Sequence, residues 1–171
     1  MELKRAQQSA AKPFLHLAGV INGPPDLSTR KGFEKVNAIA DTGLLVASAN
    51  HRDTHHRWAV EITKQVSEPL LTCDGVLAEA AFHLGNADLV LSFVRAGLVT
   101  PAFSLADQLS RLADLATRYP ERSPDLADLC LIRMRGIHAK HSVITTAIKD
   151  FSVCRRGRLE AIPLICPIIA H

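Results

Sequence analysis

The sequence predicts an α/β fold built on a central, mostly parallel sheet. Short apolar runs of strand length (NAIA, PLLTC, LVTPAF, HSVITT) alternate with stretches whose apolar residues recur at three- and four-residue spacing. Helix-start and helix-stop residues punctuate the junctions, so the alternation reads as separate elements and not one continuous apolar pattern. A 47% hydrophobic fraction in 171 residues supplies a sizeable core and excludes wholesale disorder.

The elements follow in order from Val36. Asn37 to Ala40 reads as a short buried strand that ends at Asp41, with a helix opening directly after it. DTHHRWAVEITKQ, residues 53–65, has amphipathic helical spacing. PLLTC is a second strand, and Asp74 is expected to cap a helix that Gly85 stops. Ala87 to Arg95 reads as a helix, LVTPAF as a brief strand and turn, and SLADQLSRLADLATRY as a long amphipathic helix. In SPDLADLCLIRMRG, Ser123 and Pro124 fit the cap and first helical position, with Gly136 as the end. HSVITT and AIPLICPII are the last strand candidates.

Twenty basic against seventeen acidic residues give a net charge of +3, which does not predict nucleic-acid binding by itself. Cys73, Cys130, Cys154 and Cys166 form no CxxC pair, and most sit in apolar surroundings. That pattern fits core thiols in a reducing, cytoplasmic setting better than a zinc site. No run of about 18 apolar residues is present to span a membrane, and no apolar h-region follows the charged N-terminus. Residues 1–35 lack sustained periodicity and form an appendage to the domain at 36–171, either a loose tail or a segment that lies on another surface through Phe14, Leu17 and Ile21.

In a parallel α/β sheet the ligand crevice lies beyond the carboxyl ends of the strands. Asp41 ends the first strand, and Glu79 lies early in the helix after the second. Asp125 and Asp128, three residues apart, share one face at the start of a later helix. Taken singly, each acid fits helix-start chemistry, which the helix dipole favours. If they converge, they repel one another unless a cation stands between them, and oxygen ligands suit Mg²⁺ or Mn²⁺.

AIADTGLLVASANHRDTHH, TCDGVLAEAAFHL, SPDLADLCLIRM and VITTAIKDFSVCRR, in that order, resemble a PIN domain, and within that class the VapC-type ribonuclease toxins of toxin–antitoxin modules. The resemblance runs from about Val36 to Ile165. It implies an α/β/α sandwich and metal-dependent endonucleolytic cleavage of RNA, with Asp41, Glu79 and Asp128 as the first three acidic positions and Asp125 as an accessory acid. It also implies a homodimer and an antitoxin partner. The fourth motif departs from the family pattern: TTAIKDF places Ala147 where an Asp or Asn is common, leaving Asp150 as a substitute only if its loop turns inward. A weakened or inactive PIN-like module that binds RNA or protein is therefore the alternative.

The segment AGVINGPPDLSTRKGF resembles the C-terminal tail of the antitoxins that wrap such toxins. The resemblance implies that residues 1–35 could fold back, with Arg30 or Lys31 approaching the acidic crevice and competing with metal. His51 and His55 are four apart, but no Cys or Glu completes a zinc signature, and a surface or capping role is expected for them and for His56. His138 and His141 read as polar loop residues. Arg133, Arg135, Lys140, Lys149, Arg155, Arg156 and Arg158 concentrate positive charge in the C-terminal third, either as a rim for an RNA backbone or as ordinary solvated charge. Only eight aromatic residues are present, few of them near that run, so base stacking is not expected to dominate recognition.

Overall fold

The computed structural model describes residues 36–67, 69–118, 124–147, 155–156, 160–161 and 163–167. Its core is a five-stranded, all-parallel sheet in the order β3-β2-β1-β4-β7. The strands are β1 (Ala38–Ala40), β2 (Leu70–Thr72), β3 (Val99–Pro101), β4 (Ser142–Ile144) and β7 (Leu164–Ile165). A two-stranded antiparallel ribbon, β5 (Arg155–Arg156) and β6 (Glu160–Ala161), stands apart from the sheet. The helices are α1 (Thr42–Ala49), α2 (His56–Thr63), α3 (Asp74–Leu84), α4 (Ala87–Arg95), α5 (Leu105–Arg118) and α6 (Leu126–Ile137). The architecture is the α/β sandwich that the alternating pattern predicted.

The chain begins in the middle of this sheet. From β1 it builds outward through β2 and β3 on one side, then returns to β4 and β7 on the other. The order therefore reverses between β1 and β4, which pair in register as Ala38 with Ser142, Ile39 with Val143 and Ala40 with Ile144. The central strands are buried on both faces, which explains why NAIA and SVI read as continuous apolar runs instead of alternating ones. Ile39, Leu44, Leu45, Val76, Leu131, Met134, Val143 and Ile144 are the fully buried side chains that lock α1, α3 and α6 onto this centre.

Several boundaries differ from the expectations, each for a local reason. Cys73, not Asp74, is the residue before α3; it makes no side-chain cap bond, and Asp74 lies in the first turn. Gly85 ends α3 as expected, at φ 61°, a left-handed conformation that glycine adopts without a Cβ penalty. Helix α6 starts later than Ser123 and Pro124 suggest, because Asp125 is its cap: its carboxylate accepts the Asp128 N–H at 2.8 Å. The same helix runs through Gly136 to Ile137. The C-terminal run AIPLICPII begins inside β6, with Ala161, and supplies Leu164 and Ile165 to β7.

Candidate functional site

Asp41 is the residue on which the site is built. It follows β1 and caps α1, its Oδ1 accepting the Thr42 N–H at 2.6 Å. Its Oδ2 accepts the hydroxyl of Thr145 at 2.6 Å, and its own N–H donates to the Ile144 carbonyl at 3.2 Å. Thr145 follows β4, so the two hydrogen bonds tie the carboxyl ends of β1 and β4 together at the point where strand order reverses. Thr145 is fully buried, and its hydroxyl also accepts the Ala147 N–H at 2.9 Å. One hydroxyl thus sets both the Asp41 carboxylate and the chain that leaves β4.

Glu79 reaches the same place from α3. Its Oε2 accepts the Thr42 hydroxyl at 2.6 Å, so neighbouring residues at the start of α1 position both acids. Its Oε1 lies 3.8 Å from Nε2 of His83, one helical turn further on. From α6 come Asp125 and Asp128. Gly75 on α3 faces Ala127 on α6, where a Cβ on the glycine would lie 3.6 Å from the Ala127 Cα. Small residues at this contact let the two acid-bearing helices approach.

These residues line one open cleft of about 260 Å³: Asp41, Thr42, Gly43, Val46, Glu79, His83, Asp125, Asp128 and Ala147. The four predicted acids therefore share a cleft, and among the described residues that line it none is Lys or Arg. Gly43 is required there because a methyl group in its place would run into the side chain of Thr146 on the loop after β4. Ala147 contributes a methyl wall where the resemblance leads one to expect an acid. Asp150, Arg30 and Lys31 lie outside the described residues.

Electrostatics set Asp41 apart. Burial pushes its carboxyl above the ordinary value of 3.8, against the pull of its hydrogen bonds from Thr145 and Thr42, and the charges of Glu79 and Asp125 push it further up. A cation in the cleft would relieve both effects. The available donors are carboxylate and hydroxyl oxygens with one imidazole at the edge, a set suited to hard divalent ions. Among the described residues, however, no three His, Cys, Asp or Glu side chains are grouped closely enough to hold one ion together.

His83, Thr42, Thr145 and Gly43 also line or support the cleft, and the sequence alone does not single them out. The spacing of Glu79 and His83 carried a signal for one of them, since i,i+4 on a helix places both on one face. The other candidates resolve differently. His56 Nδ1 lies 2.7 Å from the Ala47 carbonyl, His55 precedes α2 without a side-chain cap bond, and neither is among the described residues that line the cleft. Arg135 is buried, only 7% exposed, because α6 turns it inward, so it fits neither a basic rim nor solvated charge. Arg133 donates to Gln108 Oε1 at 2.7 Å, and Lys140 is exposed. Side chains of Arg155 and Arg156, and all of Lys149 and Arg158, lie outside the described residues. Cys73 and Cys130 are buried free thiols, the latter pushed by burial up to about 12, and they behave as core residues. Among the described residues no helix is long and apolar enough to cross a membrane. No family model matches the chain, and no curated protein matches it significantly.

Proposed function

We propose that this protein is a Mg²⁺- or Mn²⁺-dependent endoribonuclease of the PIN class, acting as the toxin of a toxin–antitoxin pair. The observation that supports the reading best is the gathering of Asp41, Glu79, Asp125 and Asp128 into one cleft at the switch point of a parallel sheet. Asp41, Glu79 and Asp128 would hold the ion, with Asp125 as an accessory acid. When bound, the ion activates water and stabilises the leaving oxygen of a phosphodiester.

The chain's own contribution is placement. Thr42 and Thr145 fix both oxygens of Asp41, and the Thr42 hydroxyl fixes one oxygen of Glu79. Glu79 and Asp128 line the cleft, where a proton leaving the attacking water needs an acceptor. Water is the nucleophile, so hydrolysis breaks one P–O bond and the departing ribose oxygen takes up a proton. Metal-dependent cleavage of RNA that stops with EDTA, and falls sharply in Asp41→Asn, is the expected result. Equal cleavage by that variant and the wild type would sink the assignment.

The toxin role, the cytoplasmic setting, an antitoxin or homodimer partner, and contact of Arg30 or Lys31 with the cleft all rest on the sequence resemblance. Replacing Arg30 and Lys31 by Ala in the full chain should raise cleavage if that segment restrains the site. A second reading, an inactive RNA- or protein-binding PIN-like module, is favoured by Ala147 and by the lack of a three-ligand group among the described residues. Calorimetric titration separates the two, since the module reading expects no Mg²⁺ or Mn²⁺ binding.

A further inference from the structure

Phe82 is the one aromatic residue of the described part of the chain that stands exposed. Its side chain is 81% accessible, whereas Phe93 is buried and Trp58 and Phe103 are partly covered. It lies on α3 three residues after Glu79, so it shares that helix face with an acid of the cleft. Its ring meets the His83 ring edge-on, with centroids 5.6 Å apart and planes at 72°, and His83 lines the cleft. At 81% exposure this contact leaves most of the Phe82 ring open to solvent.

A lone exposed apolar residue needs no explanation in general. Two features make this one different. The ring lies one helical turn from Glu79, an acid that the ribonuclease reading makes catalytic, and against His83 of the cleft. Its neighbours along the helix, Ala78, Glu79, Gly85 and Asn86, are small or polar and build no apolar patch around it. A protein interface needs a contiguous core of apolar contact, while a nucleobase needs only a single open ring face. We propose that Phe82, backed by His83, is a stacking platform for an unpaired base of the RNA next to the scissile phosphate, which makes the substrate single-stranded at that position. Paired bases are already stacked within a helix and offer no free face to the ring. The proposal rests on the ribonuclease reading for the nature of the ligand, and it restores a role for stacking that the low aromatic content argued against.

The test uses the full chain in EDTA, which suppresses metal-dependent cleavage, with two probes. One is a short single-stranded oligoribonucleotide carrying 2-aminopurine, and the other is the same sequence as a duplex. Phe82→Ala should bind the single strand about tenfold more weakly, given the usual contribution of one base–aromatic stack, and leave duplex binding unchanged. Phe82→Trp should restore binding, and 2-aminopurine fluorescence should be quenched by wild type and Phe82→Trp but not by Phe82→Ala. Equal affinity of wild type and Phe82→Ala overturns the proposal, as does an equal loss for both probes or no binding of either. A change of oligomeric state in Phe82→Ala without a change in RNA affinity would assign the ring to contact with a second copy instead. Cleavage assays on Asp41→Asn report separately on the nuclease reading, so stacking without cleavage would leave Phe82 serving a non-catalytic RNA-binding module.

Discussion

The two walls of the cleft are made differently. On the sheet side, Asp41 is 6% exposed and both of its carboxylate oxygens are engaged, by Thr42 and by the fully buried Thr145. On the helix side, Asp125 is exposed and Glu79 and Asp128 are partly exposed; one oxygen of Glu79 accepts the Thr42 hydroxyl, and the Asp125 carboxylate accepts the Asp128 N–H. A buried, doubly bonded acid has one position and an unfavourable charge, while exposed acids have several positions and little desolvation cost. The sheet side therefore defines the site and the helix side adjusts to what enters it.

The sharpest way to break this contrast is to neutralise each wall in turn. Asp41→Asn should lower RNA cleavage by about 100-fold or more, comparable to removing a preorganised charge-stabilising group. The same change should stabilise the fold at neutral pH. Because the folded carboxyl titrates above 3.8, the folded state holds a proton that the unfolded chain has already released, so wild-type stability is highest below 3.8 and falls as pH rises through the folded value. The melting-temperature advantage of Asp41→Asn should thus be absent below 3.8 and grow as pH increases. An advantage that stays flat with pH would mean that burial does not govern Asp41.

Adding Mn²⁺ should offset that same charge strain. Wild-type protein should gain about 2.7 kcal/mol of stability at a metal concentration one hundred times the dissociation constant, seen as a concentration-dependent rise in melting temperature. Asp41→Asn should lose most of this rise, and Glu79→Gln should lose less of it because its wall can rearrange. Equal losses would erase the distinction between the walls. Thr145→Val comes next in size. It strips the buried hydroxyl that donates to Asp41 and accepts from Ala147, which should cost about 1–3 kcal/mol in denaturant unfolding and raise the Asp41 carboxyl further.

The same contrast explains what the sequence made legible. Strands such as NAIA and SVI are buried on both faces, so their apolar runs announced the sheet, and the ends of those strands announced Asp41. Glu79, Asp125 and Asp128 were legible as acids near helix starts, yet nothing local said that they would meet, since their meeting depends on α3 and α6 closing at Gly75 and Ala127. Thr145 lies 104 residues from Asp41, and its bond to it exists only because β1 and β4 pair. Phe82 gave no signal at all, because an apolar residue in a largely apolar helix reads as core until the packing shows it outside. The cap of α6 is ambiguous in the sequence for a similar reason. Ser-Pro and Asp are all good starters, and only the hydrogen bond to Asp128 decides among them.

That cap yields the smallest effect and the finest test of the helix wall. Asp125 does two things that substitution can separate: its carboxylate caps α6 through the Asp128 N–H, and its charge helps push the Asp41 carboxyl upward. Asp125→Ala removes both and should cost about 1 kcal/mol of stability. Asp125→Ser and Asp125→Asn keep a capping oxygen without the charge, so they should fold almost as well as wild type while lowering the pH at which Asp41 titrates. If Asp125 also helps to hold metal, those two neutral caps should weaken Mn²⁺ binding as much as Asp125→Ala does, since all three lack the carboxylate. Should Mn²⁺ affinity instead follow stability across the three variants, Asp125 acts only by holding the first turn of α6, and Asp128 beside it, in place.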